Sequence, residues 1–196
     1  DLLINQPGDD RPIFFSEYSH SMGNSTGNMK EFWDELRALP RFIGGCIWDF
    51  KDQGLLKKDS TGQEYFAYGG DFGEKRHHGL FCINGIVASD GRPKSAMYEC
   101  KHVYQPIECK LINKDSAIIE IHNRAAILRT DVYQAKLTFL RNGKEIKTVE
   151  LPDLQIEAGD SALFHLKPFL PEMKDSAEYI CKIAFCLKDD KLWAEK

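Results

Sequence analysis

Glu17, near the end of a short apolar run, and His20, three residues further on, are the first candidate residues for chemistry. The run Pro12–Tyr18 is typical of a strand buried on both faces. A carboxylate that closes such a strand lies where parallel barrels carry their catalytic groups. Glu17 is therefore a candidate catalytic residue, and the alternative is a glutamate that only pairs with a nearby arginine. His20 is either a ligand-binding residue or a hydrogen-bonded structural one.

Trp48 and Asp49 close the next apolar run, Phe42–Phe50. An indole at the end of a strand offers a flat apolar platform, which suits the C–H face of a sugar ring. The alternative is a tryptophan that belongs to the core. Gly44 and Gly45 weaken this strand and predict that another backbone or a ligand comes close to it.

Residues 51–92 read mostly as loop, and loops of this length are uncommon unless they carry function. Tyr68–Gly73 is not a dinucleotide fingerprint, since no glycine-rich motif opens a helix there. Cys82 has no positioned base in the sequence. Adjacent histidines cannot chelate from one face of a regular element, so the histidine pair is predicted to be exposed. The loop's oxygens and imidazoles belong to Asp71, His77, His78 and Asn84.

Residues 1–105 read as strand, helix, strand, long loop and helix, and their first three elements form a parallel crossover unit. The first helix begins near Asn28, takes Ser25 or Thr26 as its N-cap, and is ended by Pro40. The second runs from Pro93 to about Tyr104. The apolar stripe of the first helix is formed by Phe32, Leu36 and Leu39, flanked by Trp33.

Residues 106–196 show short alternating strands with turn residues between them, as in an antiparallel β-sandwich of immunoglobulin type. Asn142-Gly143 predicts a two-residue hairpin turn. The predicted strands are 117–121, 132–140, 149–151, 163–166 and 179–187.

Composition describes an ordinary soluble chain of 196 residues, with 42% hydrophobic and 29% charged residues. The net charge of −4 predicts no general attraction for nucleic acid or anionic lipid, and no apolar run is long enough to span a membrane. Six cysteines without a C-x-x-C pair predict free thiols and a reducing compartment. We therefore expect a cytoplasmic location, with the periplasm as the alternative.

Four segments together resemble the large β-galactosidases of glycoside hydrolase family two. Glu17–Ser25 looks like the family's nucleophile signature, and Gly44–Gln53 is similar to its next barrel strand. Tyr68–Gly73 and Phe81–Gly85 match the loop that follows. The resemblance covers roughly residues 11–105, and the second half is a weaker match to the sandwich that follows the barrel.

The resemblance implies the C-terminal part of a (β/α)8 TIM barrel at 1–105 and an immunoglobulin-like sandwich, without its last strand, at 106–196. It implies a retaining mechanism on β-galactosides, with Glu17 as nucleophile, His20 and Trp48 on the sugar, and a homo-oligomeric enzyme. The main-chain oxygen of Phe81 and the side chain of Asn84 would bind sodium, and Asn84 would also contact the substrate.

The family's acid/base glutamate and its magnesium ligands lie upstream of the nucleophile, so we expect the isolated chain to be inactive. Three alternatives stay open. The chain is a non-catalytic carbohydrate- or protein-binding module, it comes from a related β-glucuronidase or β-mannosidase, or it is a metal hydrolase. The last would use His20, Asp49, His77 and His78.

Overall fold

The structure, a computed structural model, describes residues 8–173 and 176–196 and divides into two compact units. The first ends at Tyr104 and the second begins at Gln105. The first seven residues of the predicted barrel segment lie outside the described residues.

The first unit contains the predicted parallel crossover. Strand β1 (Ile13–Tyr18) is followed by helix α1 (Met29–Arg37) and strand β2 (Phe42–Ile47), and the two strands pair in parallel. Parallel strands need such a crossover because their connection must return along the sheet. Both predicted strands and the helix between them are therefore confirmed, and the carboxyl ends of β1 and β2 lie side by side.

Gly45 explains how closely the two strands approach each other. A Cβ at this position would lie 2.8 Å from the carbonyl oxygen of Phe15 and 3.2 Å from the ring of Tyr18. The predicted close approach of another backbone is confirmed, and the backbone is that of β1.

The expectation that these strands are buried on both faces is wrong for this chain. Phe14 is 52% exposed and Ile43 is 66% exposed. Among the described residues β1 and β2 form a two-stranded sheet, so their faces have few layers to pack against. A small cluster around Met29, Ile86 and Val103 supplies the buried core of this unit.

The predicted N-cap of α1 is also wrong. The Ser25 hydroxyl donates to the backbone oxygen of His20 at 2.8 Å, and the Thr26 hydroxyl donates to Ser21 Oγ at 2.8 Å. The residue before the helix is Asn28, whose backbone is left-handed and whose side chain makes no capping bond. The serine and threonine serve the loop that follows β1 instead.

Residues 51–92 carry more regular structure than predicted. Strands β3 (Leu55–Lys58) and β4 (Glu64–Ala67) form an antiparallel hairpin, and a 3-10 turn covers Gly79–Cys82. Asp59 closes the hairpin, because its Oδ1 accepts hydrogen bonds from the backbone of Thr61 and Gln63. Helix α2 (Ser95–Tyr104) follows, as predicted.

The second unit consists of two three-stranded antiparallel sheets. One has the order β5-β6-β9 and the other β10-β7-β8. Ile121 and Leu137, from the two central strands, are both fully buried in one core cluster, as in a β-sandwich. The strands are β5 (Ile107–Asn113), β6 (Ile118–Asn123), β7 (Tyr133–Arg141), β8 (Lys144–Glu150), β9 (Ser161–His165) and β10 (Tyr179–Leu187).

The predicted hairpin turn is confirmed at Asn142-Gly143. Both residues have positive φ, 48° and 75°, and join β7 to β8. Strand β5, which begins one residue after Pro106, is an addition to the predicted strands. All six cysteines are free, and no helix in the described part of the chain is long and apolar enough to cross a membrane.

Candidate active site

Glu17 lies one residue before the end of β1, where its side chain is exposed. It forms no hydrogen bond or ion pair with another residue in the described ranges, so the arginine-pairing alternative finds no support there. An unpaired carboxylate at the carboxyl end of a parallel strand is free to meet a substrate.

Backbone hydrogen bonds join the end of β1 to the end of β2. The Trp48 amide donates to the Tyr18 carbonyl at 2.9 Å, and the Trp48 carbonyl accepts from the Ser21 amide at 2.6 Å. The two contacts flank His20 in the sequence. They hold the loop after Glu17 against the residue that ends the neighbouring strand.

The His20 ring lies against the ring of Phe81, with centroids 5.3 Å apart. Its Nε2 is buried and has no hydrogen-bond partner among the described residues. Buried polar atoms are nearly always paired, so this nitrogen calls for a partner that the described residues do not supply. The purely structural alternative for His20, a hydrogen-bonded imidazole, is not what this nitrogen shows.

Asn84 is only 3% exposed and connects three parts of the site. Its Nδ2 donates to the Phe81 carbonyl at 3.1 Å, and its backbone carbonyl accepts from the Asp49 amide at 2.7 Å. Gln53 Nε2 bonds Asp49 Oδ2 at 2.9 Å and approaches Asn84 Oδ1 at 3.4 Å. Asn84 therefore ties the 79–82 turn to the end of β2.

Trp48 is 39% exposed, so the alternative of a core tryptophan is not supported. Phe81 is 58% exposed. These contacts join the ends of β1 and β2 to the loop that carries His20 and to the segment that carries Phe81 and Asn84. We call Glu17, His20, Trp48, Phe81 and Asn84 the strand-end cluster.

A buried ion pair supports the segment that carries Asn84. Asp52 is 8% exposed, and its Oδ1 accepts from the Gly85 amide at 2.7 Å and from Lys94 Nζ at 2.8 Å. Sequence reasoning missed Asp52, Gln53 and Lys94. The signal was the polar pair Asp52-Gln53 immediately after an apolar strand end, a place where polar side chains need partners.

Two tyrosines and a tryptophan hold the end of β1 from the other side. The Tyr18 hydroxyl is hydrogen-bonded to the Tyr104 hydroxyl and accepts a bond from Trp33 Nε1 at 3.2 Å. Burial raises the pKa of both phenols, and for Tyr104 the hydrogen bond with Tyr18 adds to the rise. Sequence reasoning missed Tyr104, which the fold brings from the last turn of α2.

Asp71 and His77, two other candidates of the long loop, accept hydrogen bonds from the backbone of the same loop. Asp71 Oδ2 accepts from the Tyr68 amide at 2.9 Å, and His77 Nδ1 accepts from the Gly79 amide at 3.1 Å. His77 and His78 are both exposed, as predicted. Across residues 8–173 and 176–196, no three histidine, cysteine, aspartate or glutamate side chains group as metal ligands, so the set proposed for a metal hydrolase is not assembled.

Residues 2–109 match the family model described as "Glycosyl hydrolases family 2, TIM barrel domain". The chain belongs to this family, and its βαβ unit and strand-end cluster lie within the matched region. Residues 119–196 match the model described as "Beta-galactosidase, domain 4".

Three similar proteins are all named β-galactosidase. The chain is 35% identical over 193 residues to a β-galactosidase of Psychromonas ingrahamii, covering 98% of this chain and 19% of that protein. It is 37% identical over 196 residues to a β-galactosidase of Halalkalibacterium halodurans, covering 100% and 19%. A β-galactosidase of Vibrio cholerae is 36% identical over 193 residues, covering 97% and 18%. The chain thus spans about a fifth of the length of these relatives.

Proposed function

We propose that this chain is the nucleophile-bearing part of a longer retaining β-galactosidase. The observation that carries the proposal is the unpaired carboxylate of Glu17 near the end of a parallel strand, followed three residues later by His20, whose buried Nε2 has no partner among the described residues. The names of the relatives favour a β-galactoside substrate over the glucuronide and mannoside alternatives.

In this proposal Glu17 attacks the anomeric carbon of the galactosyl ring and forms a covalent ester as the aglycone departs. Retaining chemistry needs a second carboxyl group about 5 Å away to protonate the leaving oxygen and later to activate water. We assign that acid/base to a segment of the longer protein outside this chain. His20 Nε2 would bond a sugar hydroxyl and so satisfy a nitrogen whose burial is otherwise uncompensated.

Trp48 would form part of the wall around the galactosyl ring. Its backbone is held at both ends by Tyr18 and Ser21, so the indole is anchored where the two strands end. A half-exposed aromatic surface on a fixed backbone suits stacking on a sugar.

Oxygen atoms of Phe81 and Asn84 fit the predicted sodium site. Asn84 Nδ2 donates to the Phe81 carbonyl, which places the two residues together, and among the described residues Asn84 Oδ1 accepts from Gln53 Nε2 at the long distance of 3.4 Å. Oxygen atoms of this kind suit a hard cation, which would polarise or orient a sugar hydroxyl when bound. We propose these two residues as sodium ligands, and the magnesium ligands as residues of the longer protein.

The finer architecture is part of the same proposal. We infer that β1 and β2 are two strands of a closed (β/α)8 barrel and that the second unit is an immunoglobulin-like sandwich. The exposed faces of β1 and β2 support the first inference, and the two packed antiparallel sheets support the second. Assembly into a homo-oligomer stays a prediction, and free cysteines support the cytoplasm as the proposed compartment.

Replacing Glu17 in the complete protein tests the proposal. Glu17→Gln should lower kcat for a nitrophenyl β-galactoside by at least about 10³-fold, because the amide cannot form the ester. Glu31→Gln, an exposed carboxylate on α1, is the matched control and should leave kcat unchanged. Undiminished turnover in a folded Glu17→Gln protein would overturn the assignment.

The same assay measures whether the isolated chain turns over substrate. Without the second carboxyl group, the isolated chain should show no turnover above that of the Glu17→Gln chain. Turnover by the isolated chain that disappears in the Glu17→Gln chain would show that the acid/base lies within these residues.

A further inference from the structure

Two cysteines of the second unit, the partly buried Cys109 and the exposed Cys181, lie on strand faces that also carry core side chains. Cys109 of β5 and Ile107, two residues before it, both pack on the core cluster. On β10 the side chains of Ile183 and Phe185 pack on the same cluster. Since alternate residues of a strand share a face, Cys181 points to the same side as these two.

The strands that carry the cysteines are both edge strands, β5 in one sheet and β10 in the other. At the opposite edges, Lys147 Nζ of β8 donates to the carbonyl of Phe169, just beyond the end of β9, at 2.7 Å. Strands β8 and β9 therefore flank one side of the sandwich. Because each sheet has three strands, β5 and β10 flank the other side together.

Pairing within the sheets places each of the two cysteines opposite a residue of the buried core. Cys109 is opposite Ile121, and Cys181 is opposite Phe139. Ile121 and Phe139 belong to the same buried cluster. Burial raises the pKa of Cys109 to about 11, and the charges of Glu108 and Cys181 add to the rise.

We propose that Cys109 and Cys181 form an inter-sheet disulfide when the chain meets a small-molecule disulfide such as oxidised glutathione. Cys181 is the more exposed thiol and would react first. Its thiolate attacks one sulfur of oxidised glutathione, and one glutathione thiolate leaves. The Cys109 thiolate then attacks the Cys181 sulfur, and the second glutathione thiolate leaves. Two protein thiols are oxidised, and one glutathione disulfide is reduced to two thiols.

The bond would close a loop of about 70 residues and join the two sheets along their open edge. Cross-links that close long loops stabilise mainly by constraining the unfolded chain. The oxidised second unit should therefore melt at a higher temperature than the reduced one.

Peptide mapping under non-reducing conditions tests the proposal. The folded chain is incubated with oxidised glutathione, its remaining thiols are alkylated, and it is digested. The predicted result is a linked peptide pair containing Cys109 and Cys181, lost on reduction. Absence of this pair, or an equal yield of it from the urea-unfolded chain, would overturn the proposal.

Cys186→Ser is the matched control, because Cys186 is exposed on β10 and alternates outward from Cys181. This variant should give the same linked pair and the same rise in Tm on oxidation. Cys109→Ser should stop at the glutathione adduct on Cys181 and show no rise. Cys109→Ser cannot form the disulfide. An equal rise in Tm in this variant would therefore show that the rise does not come from a bond between the two sheets. Since the linked pair is read from the unsubstituted chain, a variant that fails to fold does not remove the test.

Discussion

At the scale of single residues, Asn84 joins two segments of the first unit by hydrogen bonds, although it lies in a long loop. One side-chain nitrogen holds the Phe81 carbonyl, and the backbone carbonyl holds the Asp49 amide. The side chain is nearly inaccessible to solvent. The residue proposed as a sodium ligand is thus also the link between the 79–82 turn and the end of β2.

Asn84→Ala should lower the free energy of unfolding by about 2 kcal/mol, because the Phe81 carbonyl loses its donor and a small cavity opens. The measurement is urea unfolding of the chain followed by tryptophan fluorescence. Asn24→Ala, at an exposed position of the loop after β1, is the control and should change the value by less than about 0.5 kcal/mol. Equal effects of the two substitutions would contradict the linking role of Asn84.

The sequence alone predicts the residues of the strand-end cluster better than it predicts their surroundings. Glu17 and Trp48 each end an apolar run, and that position is readable from residue type. The contacts of Tyr104 with Tyr18 and of Lys94 with Asp52 cannot be predicted from residue type. Tyr104 ends helix α2 and Lys94 directly precedes it, so both residues lie far along the chain from their partners. The hydroxyls of Ser25 and Thr26 bond His20 and Ser21, five residues earlier in the same loop, and residue type alone does not distinguish this loop role from helix capping.

At the scale of elements, the backbone of residues 84–87 packs closely against residues 49–52, which follow β2. Hydrogen bonds run from Ile86 to the Asp49 carbonyl at 2.9 Å and from the Asp52 amide to the Val87 carbonyl at 2.8 Å. A Cβ at Gly85 would lie 2.2 Å from the Asp52 nitrogen. Only glycine permits this approach, which brings Asn84 to the strand-end cluster.

Gly85→Ala should destabilise the first unit by about 3 kcal/mol, since backbone atoms must move to admit the methyl group. Gly27→Ala is the matched control, because a Cβ there meets open space. Thermal unfolding of both variants in the same buffer gives the comparison. If Gly85→Ala were as stable as Gly27→Ala, the close packing of this segment would be wrong.

The tyrosine pair that joins β1 to α2 predicts a pH dependence. The pKa of Tyr18 and of Tyr104 is raised in the folded chain, so above about pH 10 the unfolded chain loses these protons first. Stability should be full below pH 10 and should fall as the pH rises further.

Tyr104→Phe should make this alkaline loss of stability shallower by about one proton, and should cost about 1 kcal/mol at neutral pH through the lost hydrogen bond. Urea unfolding between pH 8 and about 11 measures both effects. Tyr98→Phe removes a 65% exposed tyrosine of the same helix and should leave the pH profile as it is. The same slope in both variants would contradict the paired burial of Tyr18 and Tyr104.

At the scale of the whole molecule, the two units differ in how completely they bury their apolar residues. The second unit closes a core between two sheets. The first carries large exposed apolar side chains on its parallel strands, and a two-stranded parallel sheet has few layers to cover them. This difference supports the proposal that the first unit is part of a larger barrel.

Trapping of the covalent intermediate tests the central claim most directly. A slow galactosyl substrate with fluorine at C2 is incubated with the complete protein, and the digested peptides are analysed by mass spectrometry. The fluorine disfavours the positively charged transition state of both steps, so the ester accumulates when the leaving group is good. We predict one modified peptide, with the sugar on Glu17. A sugar ester on another carboxylate, or an active enzyme that yields no ester, would contradict it.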